Sequence, residues 1–197
     1  MSRSGETEAK EPPASSEDGP PESLLAELRA LPARYPQKRG ALLPLLHALQ
    51  AWRGHLTPAD MKLAGELTGV AAADVFSVVT FYTMYRQRPV GRFPIGVCRN
   101  IACWVNGSEQ IVSTVKAELG IAPGERTADG RFSLEEVECL GSCGTGPCLE
   151  IESRYFENLT PDKVRALIEK LRRDDRSPSE AILAAQREFP AAREARS

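Results

Sequence analysis

The segment VECLGSCGTGPCLEI, residues 137–151, places three of the chain's five cysteines in one glycine-rich turn. Three explanations are open at this point: a disulfide bond, a metal site, or small core residues that happen to lie close together. The strand-like stretches on both sides, RFSLEEVEC and CLEIE, indicate that the turn connects elements of a sheet. Because this turn alone does not distinguish the three explanations, the rest of the sequence is needed to choose among them.

Composition weighs against the disulfide and against nucleic-acid binding. The net charge of −2 over 197 residues offers no basic face for nucleic acid. No apolar run is long enough to span a bilayer, and the polar start MSRSGETEAKEPPASSEDGPPES has no signal-peptide pattern. We therefore expect a reducing compartment, where disulfides are uncommon.

The first half of the sequence predicts a disordered tail followed by a helical bundle. Residues 1–22 have few apolar side chains and are rich in Ser, Glu and Pro, which predicts disorder. Leucines then recur at helical spacing, and Thr57-Pro58 is a helix start signal for which Gly69 is the predicted stop. These signals predict a helical bundle over residues 23–88.

The second half predicts a thioredoxin-like α/β domain over residues 89–173. The segment RFPIGVC predicts a strand, Ser108 is the expected cap of a following helix, and CLEIE with RYFEN predicts a hairpin around Glu152-Ser153. Thr160-Pro161 opens a last helix, so the order fits a sheet with one face covered by helices. Residues 174–197 are expected to be a tail that is mobile or ordered by a partner, with a weak amphipathic helix marked by Ile182, Leu183 and Phe189. The predicted class is α+β.

The cysteines form two spaced pairs. Four residues separate Cys98 from Cys103, and three separate Cys139 from Cys143. Since each pair follows a predicted strand, adjacent loops at one end of a sheet would bring four thiolates together. Zinc is not excluded by this spacing. The glycines of the second loop favour an iron–sulfur cluster, because they let backbone N–H groups approach a buried, negatively charged group.

Several segments together resemble one family. VCRNIAC, then a helix, then EEVECLGSCG is similar to the [2Fe–2S] subunit of NADH:quinone oxidoreductases, which is the E subunit of respiratory complex I. YPQKRGALLPLLHALQAWRGHLTPADM, VTFYTMY and FENLTPDKV extend the similarity from Tyr35 to Leu171. The resemblance implies a helical N-terminal domain and a thioredoxin-like domain with one [2Fe–2S] cluster. It also implies the ligand set, which is Cys98, Cys103, Cys139 and Cys143.

Two residues near the motifs depart from that family. Cys148 lies where these subunits have an apolar side chain, and we interpret it as a small core residue. The alternative is a spare thiol that captures iron when a ligand is lost. Trp104 is bulkier than the family pattern, and we interpret it as packing on the following helix.

The resemblance implies an electron-transfer subunit with no substrate site of its own. FMN and NADH would bind a partner subunit, and a large iron–sulfur subunit would be a second partner. We expect no direct membrane insertion and a cytoplasmic position, peripheral to the inner membrane through the complex. Two alternatives stay open: the equivalent subunit of an NAD-dependent formate dehydrogenase or hydrogenase, and a zinc-stabilised interaction module.

Overall fold

Leucine-rich helices form the first part of the protein, a computed structural model that describes residues 19–189. The chain divides into two units between Pro89 and Val90. The first unit contains helices α1 (Glu22–Ala30), α2 (Leu42–Arg53), α3 (Pro58–Thr68) and α4 (Ala72–Phe81), with 3-10 turns at Leu31–Arg34 and Lys38–Ala41. Residues 1–18 of the tail predicted over residues 1–22 lie outside the described part of the chain. Helix α1 begins at Glu22, the last residue of that predicted tail.

The core of the first unit follows the helical spacing of the leucines. Four leucines of α2 are buried, namely Leu42, Leu45, Leu46 and Leu49. They belong to one cluster with Leu28 of α1 and with Val75 and Val79 of α4. Although its β-branched residues also suit a strand, the VFSVV segment is helical because its valines bury one face against these leucines.

A buried ion pair joins the end of α2 to the start of α3. The Asp60 carboxylate accepts hydrogen bonds from Arg53 Nε at 2.9 Å and from the Thr57 backbone N–H at 2.9 Å. The Thr57 hydroxyl in turn accepts from the Asp60 N–H at 3.2 Å, which completes a capping box. The predicted helix start at Thr57-Pro58 and the predicted stop at Gly69 are confirmed.

A four-stranded mixed sheet forms the centre of the second unit. Its strands are β1 (Phe93–Cys98), β2 (Phe132–Val137), β3 (Leu149–Ile151) and β4 (Arg154–Phe156), in the order β2-β1-β3-β4. The β1–β2 pair is parallel and the other two are antiparallel. Glu152 and Ser153 take φ values of 50° and 60°, so the hairpin turn lies where the sequence predicts it. The structure confirms the predicted α+β class.

Helices cover one face of this sheet. They are α6 (Ser108–Leu119), α7 (Pro161–Arg173) and α8 (Pro178–Glu188), and the short helix α5 (Ile101–Val105) precedes α6. Alternate residues of β1, which are Phe93, Ile95 and Val97, share one core with apolar residues of α6, α7 and α8. The predicted cap of α6 is wrong by one residue: Gly107, at a φ of 94°, is the N-cap and Ser108 is the first helical residue.

The amphipathic helix predicted within residues 174–197 is confirmed as α8, which packs in the same core as α6 and α7. Ala181, Ile182 and Ala185 are buried in the sheet's core. The Glu180 carboxylate accepts from the Ser177 N–H and hydroxyl at 3.2 and 2.6 Å, which fixes the helix start. Two of the three buried residues of α8 are small alanines, which make the amphipathic pattern weak in the sequence. Residues 190–197 lie outside the described part of the chain.

The helices of residues 19–189 can be compared with the length and apolarity that a membrane span requires. No single helix there is long and apolar enough to cross a bilayer; α3 and α4 meet the length and composition only as a pair, bent by 118° at the break between them.

The ion pair between Arg53 and Asp60 predicts a large loss of stability when its acid is removed. Asp60→Ala removes the carboxylate that pairs with the buried Arg53 guanidinium and caps α3, and it should lower the free energy of unfolding by about 3–5 kcal/mol. The matched control is Lys62→Ala on the same helix, which breaks an exposed pair with Glu66 and should cost less than about 1 kcal/mol. Urea unfolding followed by Trp52 fluorescence in a Trp104→Phe background measures both. Equal, small losses in the two variants would contradict the role given to this pair.

Candidate metal centre

The first cysteine pair lies where β1 meets α5. Cys98 is the last residue of β1, and Cys103 lies on α5. The predicted loop between them is thus partly a one-turn helix, capped by Asn100, whose Oδ1 accepts from the Ile101 N–H at 2.9 Å. This turn brings Cys103 back toward the strand end. Both cysteines are buried, at 2% exposure.

The second pair lies on the loop after β2 and is exposed. The Sγ atoms of Cys139 and Cys143 are 3.9 Å apart. The Gly141 N–H donates to the Cys139 Sγ at 3.4 Å, and Gly141 itself takes a φ of 77°, which favours glycine. A 3-10 turn, Cys143–Thr145, carries the chain away from the pair.

The two loops adjoin each other. The Leu140 N–H, from the second loop, donates to the Cys98 sulfur, and Cys98 and Cys143 are close enough to interact electrostatically. A Cβ atom on Gly146 would lie 3.2 Å from the Cys103 Sγ, so a side chain there would press on that sulfur. The structure therefore places the four cysteines predicted as ligands at one end of the sheet, as a buried and an exposed pair on neighbouring loops.

A network that the sequence did not reveal holds the second loop. The Glu157 carboxylate accepts from the hydroxyls of Ser142 and Thr145, the latter at 2.7 Å. The Asn158 N–H donates to the Thr145 carbonyl at 2.7 Å. Glu157 follows β4, far from the loop in sequence, and no local motif marks it. Its role becomes visible only once the hairpin brings β4 beside the cysteines.

Cys148 is the fifth thiol, and the structure places it beside the first pair. It is fully buried, and its Sγ is 3.7 Å from the Cys103 Sγ. The sulfur atoms of Cys98, Cys103 and Cys148 all lie within 4.8 Å of one another. The prediction of a small buried residue is confirmed in its burial. The surroundings differ, because Cys148 belongs to a cluster of cysteines with Leu140 rather than to the sheet's main core.

Burial and backbone donors give the thiols different acidities. Burial alone would raise the pKa of the Cys98 thiol, but the N–H groups of Leu140 and Asn100 hold that pKa below its usual value. Burial raises the pKa of Cys103, against the opposing effect of the Cys148 N–H. Burial, together with the neighbouring thiols, raises the pKa of Cys148 well above its usual range. The lowered pKa of Cys98 thus favours its thiolate, whereas the raised pKa of Cys148 favours its neutral thiol.

The surface around the pairs is charged and partly apolar. Glu138 and Arg99 form an exposed ion pair at 3.4 Å beside the cysteines. Trp104 lines a surface groove with Arg99 and with Val112 of α6, so it lies beside the following helix, as predicted. Its side chain is nevertheless 52% exposed, so it is not packed tightly there.

The residues present fit a two-iron cluster. All five cysteines are free thiols. Four of them lie in two pairs, which suits a group whose two irons each take two thiolates. Backbone N–H groups point at Cys98, Cys103 and Cys139 and would offset the negative charge of such a group.

Sequence comparison agrees with this site. The sequence profile of the thioredoxin-like [2Fe-2S] ferredoxin family matches residues 28–172. The chain belongs to this family. The matched region includes both cysteine pairs of this family member and all four strands of its sheet.

Three named relatives, all E subunits of NADH-quinone oxidoreductases, are similar over most of the chain. The one from Mycobacterium bovis is 39% identical over 158 residues, which are 78% of this chain and 63% of that protein. The one from Rhizobium meliloti, numbered E 2, is 37% identical, over 80% of this chain and 94% of the relative. The one from Rickettsia bellii is 42% identical, over 72% and 86%. The chain therefore spans under two thirds of the mycobacterial relative's length and most of the other two.

A solved structure with a similar fold is an NAD+-reducing [NiFe]-hydrogenase in the H2-reduced state. It is 25% identical and has a TM-score of 0.60, and the match covers 71% of this chain and 24% of the hydrogenase chain. The same fold thus occurs as a part of a longer chain.

The difference in burial between the cysteine pairs predicts two rates of thiol modification. In reduced protein without a cluster, Cys139 and Cys143 should react quickly with 5,5′-dithiobis(2-nitrobenzoate), while Cys98, Cys103 and Cys148 should react only as the chain opens. The measurement is the number of fast thiols, expected to be two, against five in guanidinium chloride. The double variant Cys139→Ser/Cys143→Ser should have none, and Cys148→Ser should keep two. A fast Cys148 would contradict the geometry of the site.

Proposed function

We propose that this chain is the electron-transfer subunit of an NADH:quinone oxidoreductase and carries one [2Fe–2S] cluster. The observation that carries the proposal is the meeting of two cysteine pairs at one end of the sheet, in a chain of this family. The likeness to relatives named as E subunits supports the choice of complex.

The proposed ligands are Cys98, Cys103, Cys139 and Cys143. The 3.9 Å separation of the Cys139 and Cys143 Sγ atoms suits two thiolates on one iron. Cys98 and Cys103, at the adjoining strand end, would hold the other iron. Cys148 is left out because a set with Cys98, Cys103 and Cys148 would supply three sulfurs on one side and would leave one of the exposed cysteines unused.

The chain's own groups would prepare the site for a negatively charged group. The cluster, when bound, takes up and releases one electron at a time. The Leu140 and Gly141 N–H groups donate to ligand sulfurs and offset part of the charge. Burial of Cys98 and Cys103 keeps water from one side, while the exposure of Cys139 and Cys143 leaves the other side open to a redox partner.

The remaining chemistry of the complex is assigned to partner subunits. Hydride transfer from NADH needs a flavin, and we place FMN and NADH on one partner, with a large iron–sulfur subunit as another. Exposed apolar side chains on α4 and just after it suit docking to such subunits, namely Phe76, Phe81, Tyr82 and Met84. The complex would be peripheral to the inner membrane on its cytoplasmic side.

A second candidate has a specific observation in its favour. The structural likeness to an NAD+-reducing hydrogenase supports the same site serving a different final electron acceptor. A zinc-stabilised interaction module is the remaining alternative, since four thiolates also suit zinc. It differs in one simple property, because a zinc-loaded chain is colourless.

Alanine replacement tests the ligand set and the kind of metal together. Chain reconstituted with iron and sulfide should be coloured and contain two irons and two sulfides. Cys98→Ala, Cys103→Ala, Cys139→Ala and Cys143→Ala should each lose most of the visible absorption, because three thiolates leave one iron incompletely bound. The matched control is Cys148→Ala, which should keep the spectrum and the iron count.

Two outcomes would contradict the proposal. A colourless native protein that binds one zinc ion would mean that the site holds a structural metal and not a cluster. Loss of the cluster in Cys148→Ala, together with an intact cluster in Cys143→Ala, would mean that Cys148 and not Cys143 is a ligand.

A further inference from the structure

A third sulfur lies beside the buried cysteine pair and is not used by the proposed ligand set. The Cys148 Sγ is 3.7 Å from the Cys103 Sγ, and with Cys98 the three sulfur atoms lie within 4.8 Å of one another. The end of the β1–β3 pair fixes the position of Cys148 beside Cys98, because the Cys98 N–H donates to the Cys148 carbonyl at 3.1 Å. The approach of Cys98 and Cys148 is therefore set by backbone pairing, and Cys103 approaches from helix α5.

The size of this triad suits one metal ion rather than two. Metal–sulfur bonds of about 2.3 Å place three sulfurs around a single ion at about 4 Å from one another. A two-iron cluster instead takes its thiolates in two pairs. The triad of Cys98, Cys103 and Cys148 is thus a different site from the four-cysteine set, although the two share Cys98 and Cys103.

The chemistry of the triad favours a soft ion of low charge. Thiolates select Cu(I) and zinc among the common metals. Structural zinc closes its shell with four ligands, whereas the triad is buried beside Leu140 and offers three. Cu(I) binds three thiolates without a fourth ligand. The N–H groups of Leu140, Asn100 and Cys148 point at the sulfurs of Cys98 and Cys103 and would offset the negative charge that remains.

We propose that, before the cluster is inserted, Cys98, Cys103 and Cys148 form a three-thiolate site for Cu(I). Binding releases the three thiol protons and changes no oxidation state. An ion held there occupies Cys98 and Cys103, and it therefore blocks insertion of the cluster. This last step rests on the proposed function, while the binding of Cu(I) does not.

The test uses the full chain, prepared reduced and without a cluster, under anaerobic conditions. Cu(I) is supplied as its coloured bicinchoninate complex, and its transfer to the protein is followed by loss of that colour. The native chain should take up one Cu(I). Cys148→Ala should bind on the order of 100-fold more weakly, since even an outer-shell change costs roughly 10- to 100-fold in metal affinity. The matched control, Cys139→Ala/Cys143→Ala, should keep the native affinity.

Unchanged affinity in Cys148→Ala, or an equal loss in the control, would overturn the site. X-ray absorption of the copper-loaded native chain gives an answer that needs no variant: three sulfur neighbours are expected, and two would exclude Cys148. A second arm adds one equivalent of Cu(I) before iron and sulfide. Cluster formation should fall in the native chain and persist in Cys148→Ala, and suppression in both would overturn the blocking step. A native chain that forms no cluster even without copper would contradict the proposed function and leave the copper result standing.

Discussion

The site depends on the seating of the second cysteine loop against the end of β1. Three contacts make this seating: the Leu140 N–H on the Cys98 sulfur, the Cys98 N–H on the Cys148 carbonyl, and the close approach of Gly146 to Cys103. Each contact uses backbone on one side, so the geometry depends on the strand register more than on side-chain packing. If β1 and β3 paired one residue out of register, Cys98 would turn to the other face of the sheet.

This seating also explains why the two cysteine pairs differ. Cys98 ends strand β1 and Cys103 lies on helix α5, and both side chains are buried. Cys139 and Cys143 lie on an irregular loop, which Glu157 and Asn158 tie down from the far side of the hairpin. A rigid, dry half and an open half suit a relay centre, because the first half fixes the group and the second leaves a short path to a partner. Cys148 lies in the same buried half, beside Cys98 and Cys103. Its thiol favours the neutral form until a metal replaces its proton.

Much of the fold could be predicted from the sequence because its signals were local. Thr57-Pro58 marks a helix start through its own cap, and the hydrophobic period of the leucines marks the bundle. Apart from the α6 cap, which is off by one residue, the features that the sequence did not predict depend on residues distant in sequence. The packing of α8 in the sheet's core depends on residues of the strands and of α6 and α7. The position of Cys148 beside Cys103 and the support from Glu157 appear only when β3 and β4 form. The cysteine spacing could predict the pairs, but it could not predict which pair is buried.

In this protein the [2Fe–2S] centre is expected to relay single electrons, while a partner carries out the hydride chemistry. Electron paramagnetic resonance of the reconstituted full chain, reduced in parallel samples by dithionite and by NADH, separates the two roles. With dithionite, one S = 1/2 signal per chain from a [2Fe–2S] centre is expected, and with NADH no signal until a flavin-bearing partner is added. Absence of the signal with dithionite, or its appearance with NADH alone in flavin-free protein, would rule out a relay of this kind.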